Sequence, residues 1–296
     1  MPVPGDRVVV RRLLPSGQAS DVIGTLLSDG DPLTVRADRD GAEHLIPRAA
    51  IVRWKTVPAR PVRAGEIRSL DLARARSWWS VEREWIDGWL CRAAPGLRGN
   101  RASSAAALHP DASAAALPAV RAWFAERGLP LRLEVSGPRP AVGPAPLDTL
   151  TDTLTAPVSL GAVAPDARVA EAPDVQWLAV TGVSEQLIRS VEGAAHFVSM
   201  RDGDSTVAAA RVTVTADAGG RLWGGLAAVT VVPSYRRRGL AQTLVRHAIA
   251  EAEGLGAARI YLEVTRDNDA AQALYRSLGF TDHHTYGFWT EPDDTA

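Results

Sequence analysis

The sequence predicts an α/β (α+β) protein in which a small all-β module precedes a C-terminal half of alternating strands and helices. Three observations predict it. Residues 1–60 carry short aliphatic and β-branched runs at roughly ten-residue spacing, the pattern of a small barrel. From about Arg168 onward, strand and helix patterns follow one another in the order βααβββαβαββ. Within that order a strand ending at Val232 passes through a turn closed by Gly239 into an amphipathic helix.

Val8–Val10, Val22–Leu27, Leu33–Arg36 and Ile51–Trp54 are the strand runs of the first module. Ser28-Asp29-Gly30 and Asp38–Gly41 separate them as turns. Gly5-Asp6-Arg7-Val8, Ile23-Gly24-Thr25-Leu26 and Ile46-Pro47 resemble SH3-like barrels, so an SH3-like β-barrel is expected over 1–60, with Pro58, Pro61 and Val62 as the linker out of it. In residues 65–160, Leu70–Trp79 reads as a helix with Trp78 and Trp79 facing a core. Glu84–Arg92 reads as a strand. Pro118–Arg127 reads as a helix, with proline in its first turn and Gly128 and Pro130 ending it. A strand at Leu131–Val135, a loop over Ser136–Pro146 and a short helix at Leu147–Leu154 complete this segment.

Residues 161–296 give a strand at Arg168–Glu171, a helical stretch at Val175–Val191, and strands at His196–Met200, Val207–Thr215 and Leu222–Val232. Helix Gly239–Glu253, strand Ala258–Val264, helix Asp269–Leu278 and terminal strands from Thr281 to Trp289 follow. One internal echo links the segments. Ala125-Glu126-Arg127-Gly128-Leu129 leads into Leu133-Glu134-Val135, as Ala252-Glu253-Gly254-Leu255 leads into Leu262-Glu263-Val264. An Ala/Leu/Arg-rich chain can also produce such an echo by chance. If it is a repeat, residues 65–160 are a degenerate copy of the C-terminal fold, and Ala115-Ala116-Leu117-Pro118 puts no glycine turn before its helix.

Composition excludes several classes. The formal net charge of -1 gives no global electrostatic case for nucleic acid or an anionic membrane. Cys91 is the single cysteine, so neither an intrachain disulfide nor a thiolate zinc site is expected. His44, His109, His196 and His247 show no ligand spacing, and no metal is expected. Met1–Arg12 lacks a long apolar run, so no signal peptide is expected, and no stretch approaches the roughly 20 apolar residues of a membrane span. A soluble cytoplasmic protein is the expectation.

The chemistry concentrates at Val229-Thr230-Val231-Val232-Pro233-Ser234-Tyr235-Arg236-Arg237-Arg238-Gly239-Leu240-Ala241-Gln242. A glycine turn opening a helix leaves backbone N–H groups pointing outward as an anion site, and neighbouring arginines add charge-assisted donors. Taken alone, the segment also reads as an ordinary basic helix start. It is followed by Leu262-Glu263-Val264-Thr265-Arg266-Asp267-Asn268, then Ala271, Leu274-Tyr275 and Gly279-Phe280. Together these runs closely resemble the GNAT N-acetyltransferase superfamily: Arg236-x-x-Gly239-x-Ala241 matches its pyrophosphate loop, and the second run is similar to the ribosomal-protein alanine acetyltransferases. Trp89–Gly96 and Asn100–Ser104 further resemble actinobacterial GNAT proteins with an SH3-like N-terminal module and a degenerate first GNAT half.

The resemblance implies a central mixed sheet flanked by helices, with domains at 1–60, 65–160 and 161–296. It implies acetyl-CoA as co-substrate. Val229, Thr230 and Val231 would pair with its pantetheine arm, and Arg236, Arg237, Arg238, Gly239, Leu240, Ala241 and Gln242 would surround its pyrophosphate. The Val229 N–H would polarise the thioester carbonyl. Asn268 would bond the pantetheine and Tyr275 would protonate the departing thiolate; read alone, they are a helix N-cap and a core tyrosine. An alkyl ammonium has a pKa of about 10.4, so a base is needed, and Glu263 fills the position the alanine acetyltransferases use. A salt-bridged carboxylate is the other reading of Glu263. Trp223-Gly224-Gly225 lacks the carboxylate that related histone acetyltransferases place there. His283, His284 and Tyr286 lie on the closing strands that shape the acceptor site, as proton relay or as ordinary strand residues. The expected activity is acetyl transfer to a primary amine: a protein N-terminus, a lysine or a small molecule, with room for a homodimer. The alternative is a non-catalytic acetyl-CoA-binding sensor carrying a protein-interaction module.

Overall fold

A computed structural model describes residues 2–292 except 59, 79, 95, 97, 98, 138–146, 190 and 191; the expected core position of Trp79 and most of the loop before Leu147 lie outside the described residues. The chain divides into two compact units, Met1–Pro61 and Val62–Ala296.

The first unit is one antiparallel sheet of β1 (Arg7–Leu13), β2 (Ala19–Ser28), β3 (Leu33–Ala37), β4 (Glu43–Ile46) and β5 (Ile51–Thr56), in the order β4-β3-β2-β1-β5. Period-two alternation buries Val8, Val10, Val22, Leu26, Leu33, Val35 and Ile46 in one core. The sequence pattern misses β4 because its short run opens with the polar Glu43 and His44.

The second unit holds a single sheet of eleven strands. It opens with helix α1 (Ala64–Arg76), followed by β6 (Glu82–Ile86) and β7 (Trp89–Ala93). The single strand expected over Glu84–Arg92 is therefore a hairpin. Asp87-Gly88 forms its two-residue turn with φ 42 and 86, positive at both positions as the strand twist demands. Then come β8 (Ser104–Ala107), α2 (Leu117–Ala125), β9 (Arg132–Ser136) and β10 (Asp148–Pro157). The helix expected at Leu147–Leu154 is strand β10. Its threonines favour extended backbone, and the strand is paired on both sides, by β15 and β16. The chain continues through β11 (Ala167–Ala170), α3 (Val175–Thr181), α4 (Glu185–Arg189), β12 (Ala194–Asp202), β13 (Ser205–Ala216), β14 (Leu222–Val231), α5 (Leu240–Gly254), β15 (Arg259–Thr265), α6 (Asp269–Ser277) and β16 (Thr281–Thr290). Gly182, left-handed at φ 67, splits the predicted helix 175–191 into α3 and α4. The closing strands are one continuous β16.

The sheet order is β11-β12-β13-β14-β15-β10-β16-β9-β8-β7-β6. Among the described residues only β14/β15 and β8/β9 run parallel, each joined by a helix crossover through α5 or α2. The last strand before residue 160, β10, lies beside β15, and the last strand of the chain, β16, lies beside β9. Each half of the sheet is thus completed by a strand from the other, and residues 65–160 and 161–296 share one unit. One face of the sheet buries Leu244, Val245, Ala248, Ile249 and Ala252 of α5 against β13, β14 and β15. The opposite face carries α1, where Leu70 and Ala73 pack on Trp223 and Tyr261.

Candidate active site

The parallel pairing of β14 with β15 runs only from Trp223↔Arg259 to Leu226↔Leu262. Beyond Leu226, β14 keeps its ladder with β13 while the side toward β15 is left without a strand. Ala227–Val231 are half-buried in consequence. Ala228 has φ 54, and the register against β13 shifts between Ala209 and Arg211, so a bulge turns the strand where the two neighbours part. The open edge in the middle of the sheet presents N–H and C=O groups that need partners. An extended, amide-bearing chain supplies them as an added strand would.

The strand runs on into the turn before α5. Gly239 is the N-cap at φ 80, no side chain caps the helix, and a Cβ at Gly239 would meet nothing within 4 Å. The first helical N–H to find a carbonyl is that of Thr243, which donates to Gly239 at 3.1 Å. Among the described residues the N–H groups ahead of it have no helical acceptor, and they lie at the positive end of the helix dipole. Arg236 Nε donates to the Val231 carbonyl at 3.2 Å, and Arg238 stacks on Tyr235 with its Nη2 donating to Ser234 O. Arg237, Leu240, Ala241 and Gln242 complete the turn, with Arg237 at φ 62. An anionic group fits this concavity.

Asn268 caps α6: its Oδ1 accepts the Ala271 N–H at 3.1 Å, and its exposed amide nitrogen makes no hydrogen bond among the described residues. Tyr275 packs in the core with its ring edge-on to Phe280 at 5.8 Å, and burial pushes its phenol up to about 12. The hydroxyl therefore keeps its proton at neutral pH.

Glu263 sits just past the point where the strands part, on the α1 face, and only 7% exposed. Its Oε1 accepts from Arg74 at 2.7 Å, Arg101 at 3.2 Å and the Tyr286 hydroxyl at 2.6 Å, and its Oε2 accepts from Trp78 Nε1 at 3.4 Å. Burial alone would raise its pKa, but Arg101, Arg74 and Tyr286 outweigh burial and hold the carboxyl well below the usual range. A general base needs a pKa near the working pH. Of the two readings of Glu263, the salt-bridged carboxylate is the one its surroundings match.

Arg74 also reaches Asp71 and, at 3.1 Å, Glu134, whose other oxygen binds the buried Arg92 at 2.9 Å. The echoed glutamates thus converge on one guanidinium contributed by α1. His284 is 2% exposed and binds Asp71 at 2.9 Å. His283 touches His284, and burial, then the neighbouring His284, lowers it to about 4, which leaves it neutral at pH 7. Gly225 explains the missing carboxylate on β14. A Cβ there would lie 2.5 Å from the Tyr261 hydroxyl and 2.6 Å from Thr213 Oγ1, and that hydroxyl is fixed by Ser77 at 2.9 Å. Sequence reasoning missed Arg74, Arg101, Tyr261 and Arg211, all of which belong to this wall. The signals in the chain were the repeated Leu-Glu-Val and the family-like segments Trp89–Gly96 and Asn100–Ser104, which hold Arg92 and Arg101. Among the described residues no cluster of His, Cys, Asp and Glu is arranged to hold a metal ion, and no helix is long and apolar enough to cross a membrane.

A strand pair that parts at a bulge, with a glycine turn opening the following helix, is the arrangement expected from the resemblance to GNAT N-acetyltransferases, and the comparisons with known proteins support that class. Residues 64–289 match the family model described as "Probable histone acetyltransferase Rv0428c C-terminal", and residues 2–55 match "Rv0428c N-terminal Sm-like domain". The chain belongs to this family. The expected SH3-like module is not confirmed: that match describes the first unit as Sm-like. The Mycobacterium tuberculosis protein called probable histone acetyltransferase Rv0428c is 31% identical over 95% of this chain and 93% of its own length. The Escherichia coli K12 [ribosomal protein bS18]-alanine N-acetyltransferase is 48% identical over 54 residues, 18% of this chain and 36% of its own. A solved GCN5-related N-acetyltransferase from Kribbella flavida superposes with a TM-score of 0.59 at 19% identity, covering 79% of this chain and 97% of that one, and shares the fold.

Proposed function

We propose that this enzyme takes the acetyl group from acetyl-CoA and transfers it to an amine by direct attack within a ternary complex. The observation that carries the reading is the half-buried edge of Ala227–Val231, unpaired toward β15 and continuous with the Gly239 turn. That edge suits the two amides of pantetheine, and the turn suits the pyrophosphate. The Val229 N–H, at the bulge, is placed to polarise the thioester carbonyl. Tyr275 holds a proton for the departing thiolate, and Asn268 has a free amide nitrogen for the pantetheine.

Glu263 keeps its negative charge and fixes Arg74, Arg101, Tyr286 and Trp78 as one wall of the acceptor side. The acceptor ammonium gives one proton to solvent; the free amine then adds to the thioester carbon, the C–S bond breaks, and the second proton lost from the nitrogen makes good the one that Tyr275 gives to the thiolate sulfur. Residues 65–160 form a second, degenerate half: α2 starts from Ala114–Ala116 with Pro118 in its first turn and no glycine. One acetyl-CoA per chain is the expected stoichiometry.

Gly239→Glu tests the assignment. It puts a carboxylate where the pyrophosphate lies and a side chain at φ 80, a conformation that favours glycine. Calorimetry on the folded variant should show acetyl-CoA affinity lost, and unchanged affinity would refute the cradle.

A further inference from the structure

Arg211 stands apart from every other buried cation near the site. It is 1% exposed, on β13, facing α1. Arg74, Arg92 and Arg101 each bind a carboxylate. Arg211 binds none among the described residues. Its Nη2 donates to the Ser77 carbonyl at the C-terminus of α1, its guanidinium lies 5.1 Å over the Trp78 ring, and its Nε is buried without a partner. A helix C-terminus supplies only about half a negative charge. Unpaired buried charge is costly, and folded proteins hold it rarely.

The position of Arg211 says what the missing partner is. Its Cα partner across the ladder is Ala227, the first residue of β14 past the last parallel pair with β15. Cross-strand partners point to the same face, so Arg211 borders the parting strands on the α1 side, the face of Glu263. Trp78 joins the two: it lies under the Arg211 guanidinium and donates to Glu263. The pyrophosphate turn is on the far side of Val231, some five residues along β14, or about 16 Å at strand rise. The phosphates of the acyl donor are thus at the other end of the strand.

We infer that Arg211 is the docking group for a carboxylate carried by the acceptor, so that the enzyme prefers amines bearing an acid over matched neutral amines. This rests on the acetyl-transfer reading above. The carboxylate belongs either to a free amino acid or to an acidic side chain in a peptide, and an Arg-carboxylate pair is the chemistry common to both. Burial lowers the Arg211 pKa to about 10, which leaves it charged at neutral pH.

The test uses the full chain, acetyl-CoA and two acceptor arms. The first pairs ω-amino acids, from glycine to aminohexanoic acid, with alkylamines of the same length. The second pairs short peptide amides that differ only in aspartate against asparagine beside the N-terminal residue. The wild type should favour the acid member of one arm by roughly tenfold or more in kcat/KM, the usual worth of a hydrogen bond to a charged group, and the arm that shows it identifies the source.

Arg211→Met should abolish the preference while its melting temperature stays level or rises, since an unpaired buried charge is removed. Arg211→Lys should keep part of the preference. Calorimetric titration of the same amino acids and peptides into the CoA-saturated protein gives a readout without turnover: acid members bind the wild type and not Arg211→Met. No acid preference in either arm by rate or binding overturns the proposal. So does an equal loss of kcat for acid and neutral amines in Arg211→Met, which would place Arg211 on the thioester instead. Loss of acetyl-CoA binding by the wild type would refute the acetyl-transfer reading, and the titration on the free protein would then decide for or against a carboxylate at Arg211.

Discussion

Replacing Glu263 by Gln separates a structural anion from a catalytic base. Its carboxylate accepts hydrogen bonds from Arg74, Arg101, Tyr286 and Trp78 at 7% exposure. Removing one partner of a buried ion pair costs about 3–5 kcal/mol. Arg74 retains Asp71 and Glu134, so the lower end, about 3 kcal/mol, is expected. For a unit of this size that lowers Tm by roughly 6–12 °C. The pH dependence follows from the depressed pKa. The folded state binds this proton less readily than the unfolded chain does, so the stabilisation is fully present above the ordinary value of 4.5 and is lost as the pH falls below it. Thermal melts followed by circular dichroism across pH should show a gap between wild type and Glu263→Gln at pH 7 that narrows in acid. Acetyl-transfer rates should keep the shape of their pH profile. A variant with unchanged Tm and a missing acidic limb in its rate profile would refute this reasoning and restore Glu263 as the base.

Tyr275→Phe keeps the ring against Phe280 and deletes the hydroxyl; kcat should fall by roughly 10²-fold, the usual worth of one acid–base group, with calorimetric acetyl-CoA affinity unchanged, and full turnover would assign the proton to water. Because that phenol is raised to about 12, no alkaline limb below pH 11 should disappear in the variant. His283, lowered to about 4 from 6.5, takes up a proton more readily unfolded than folded. Stability should therefore fall as the pH drops from about 6.5 toward 4, and His283→Gln should flatten that part of the melting-temperature profile.

Much of the site was legible because its chemistry depends on local backbone. A strand, a turn that needs a left-handed residue and an amphipathic helix are written in consecutive residues, so Val229–Gln242 could be read as one device. Asn268 capping α6 and Tyr275 on its buried face follow from helix geometry in the same way. Strand β10 was misread as a helix although Thr149, Thr151, Thr153 and Thr155 alternate at period two, and its extended form is fixed by pairing with two strands contributed by the end of the chain.

What the sequence determined by itself was the order of elements and the glycine turn, which rest on periodicities and φ preferences within a few residues; the candidate donor-binding residues followed from the resemblance to the GNAT superfamily. What only the tertiary structure decided was the set of cations around Glu263. Arg74 meets Glu263 across a separation of 189 residues and Glu134 across 60, and Arg101 meets Glu263 across 162. Whether a carboxylate is a base or a buried counter-ion depends on the cations within a few ångströms of it, and whether an arginine is satisfied depends on the same accounting. Neighbours of that kind are set by the exchange of β10 and β16 between the halves of the sheet and by the packing of α1 across it, and no spacing in the chain records them.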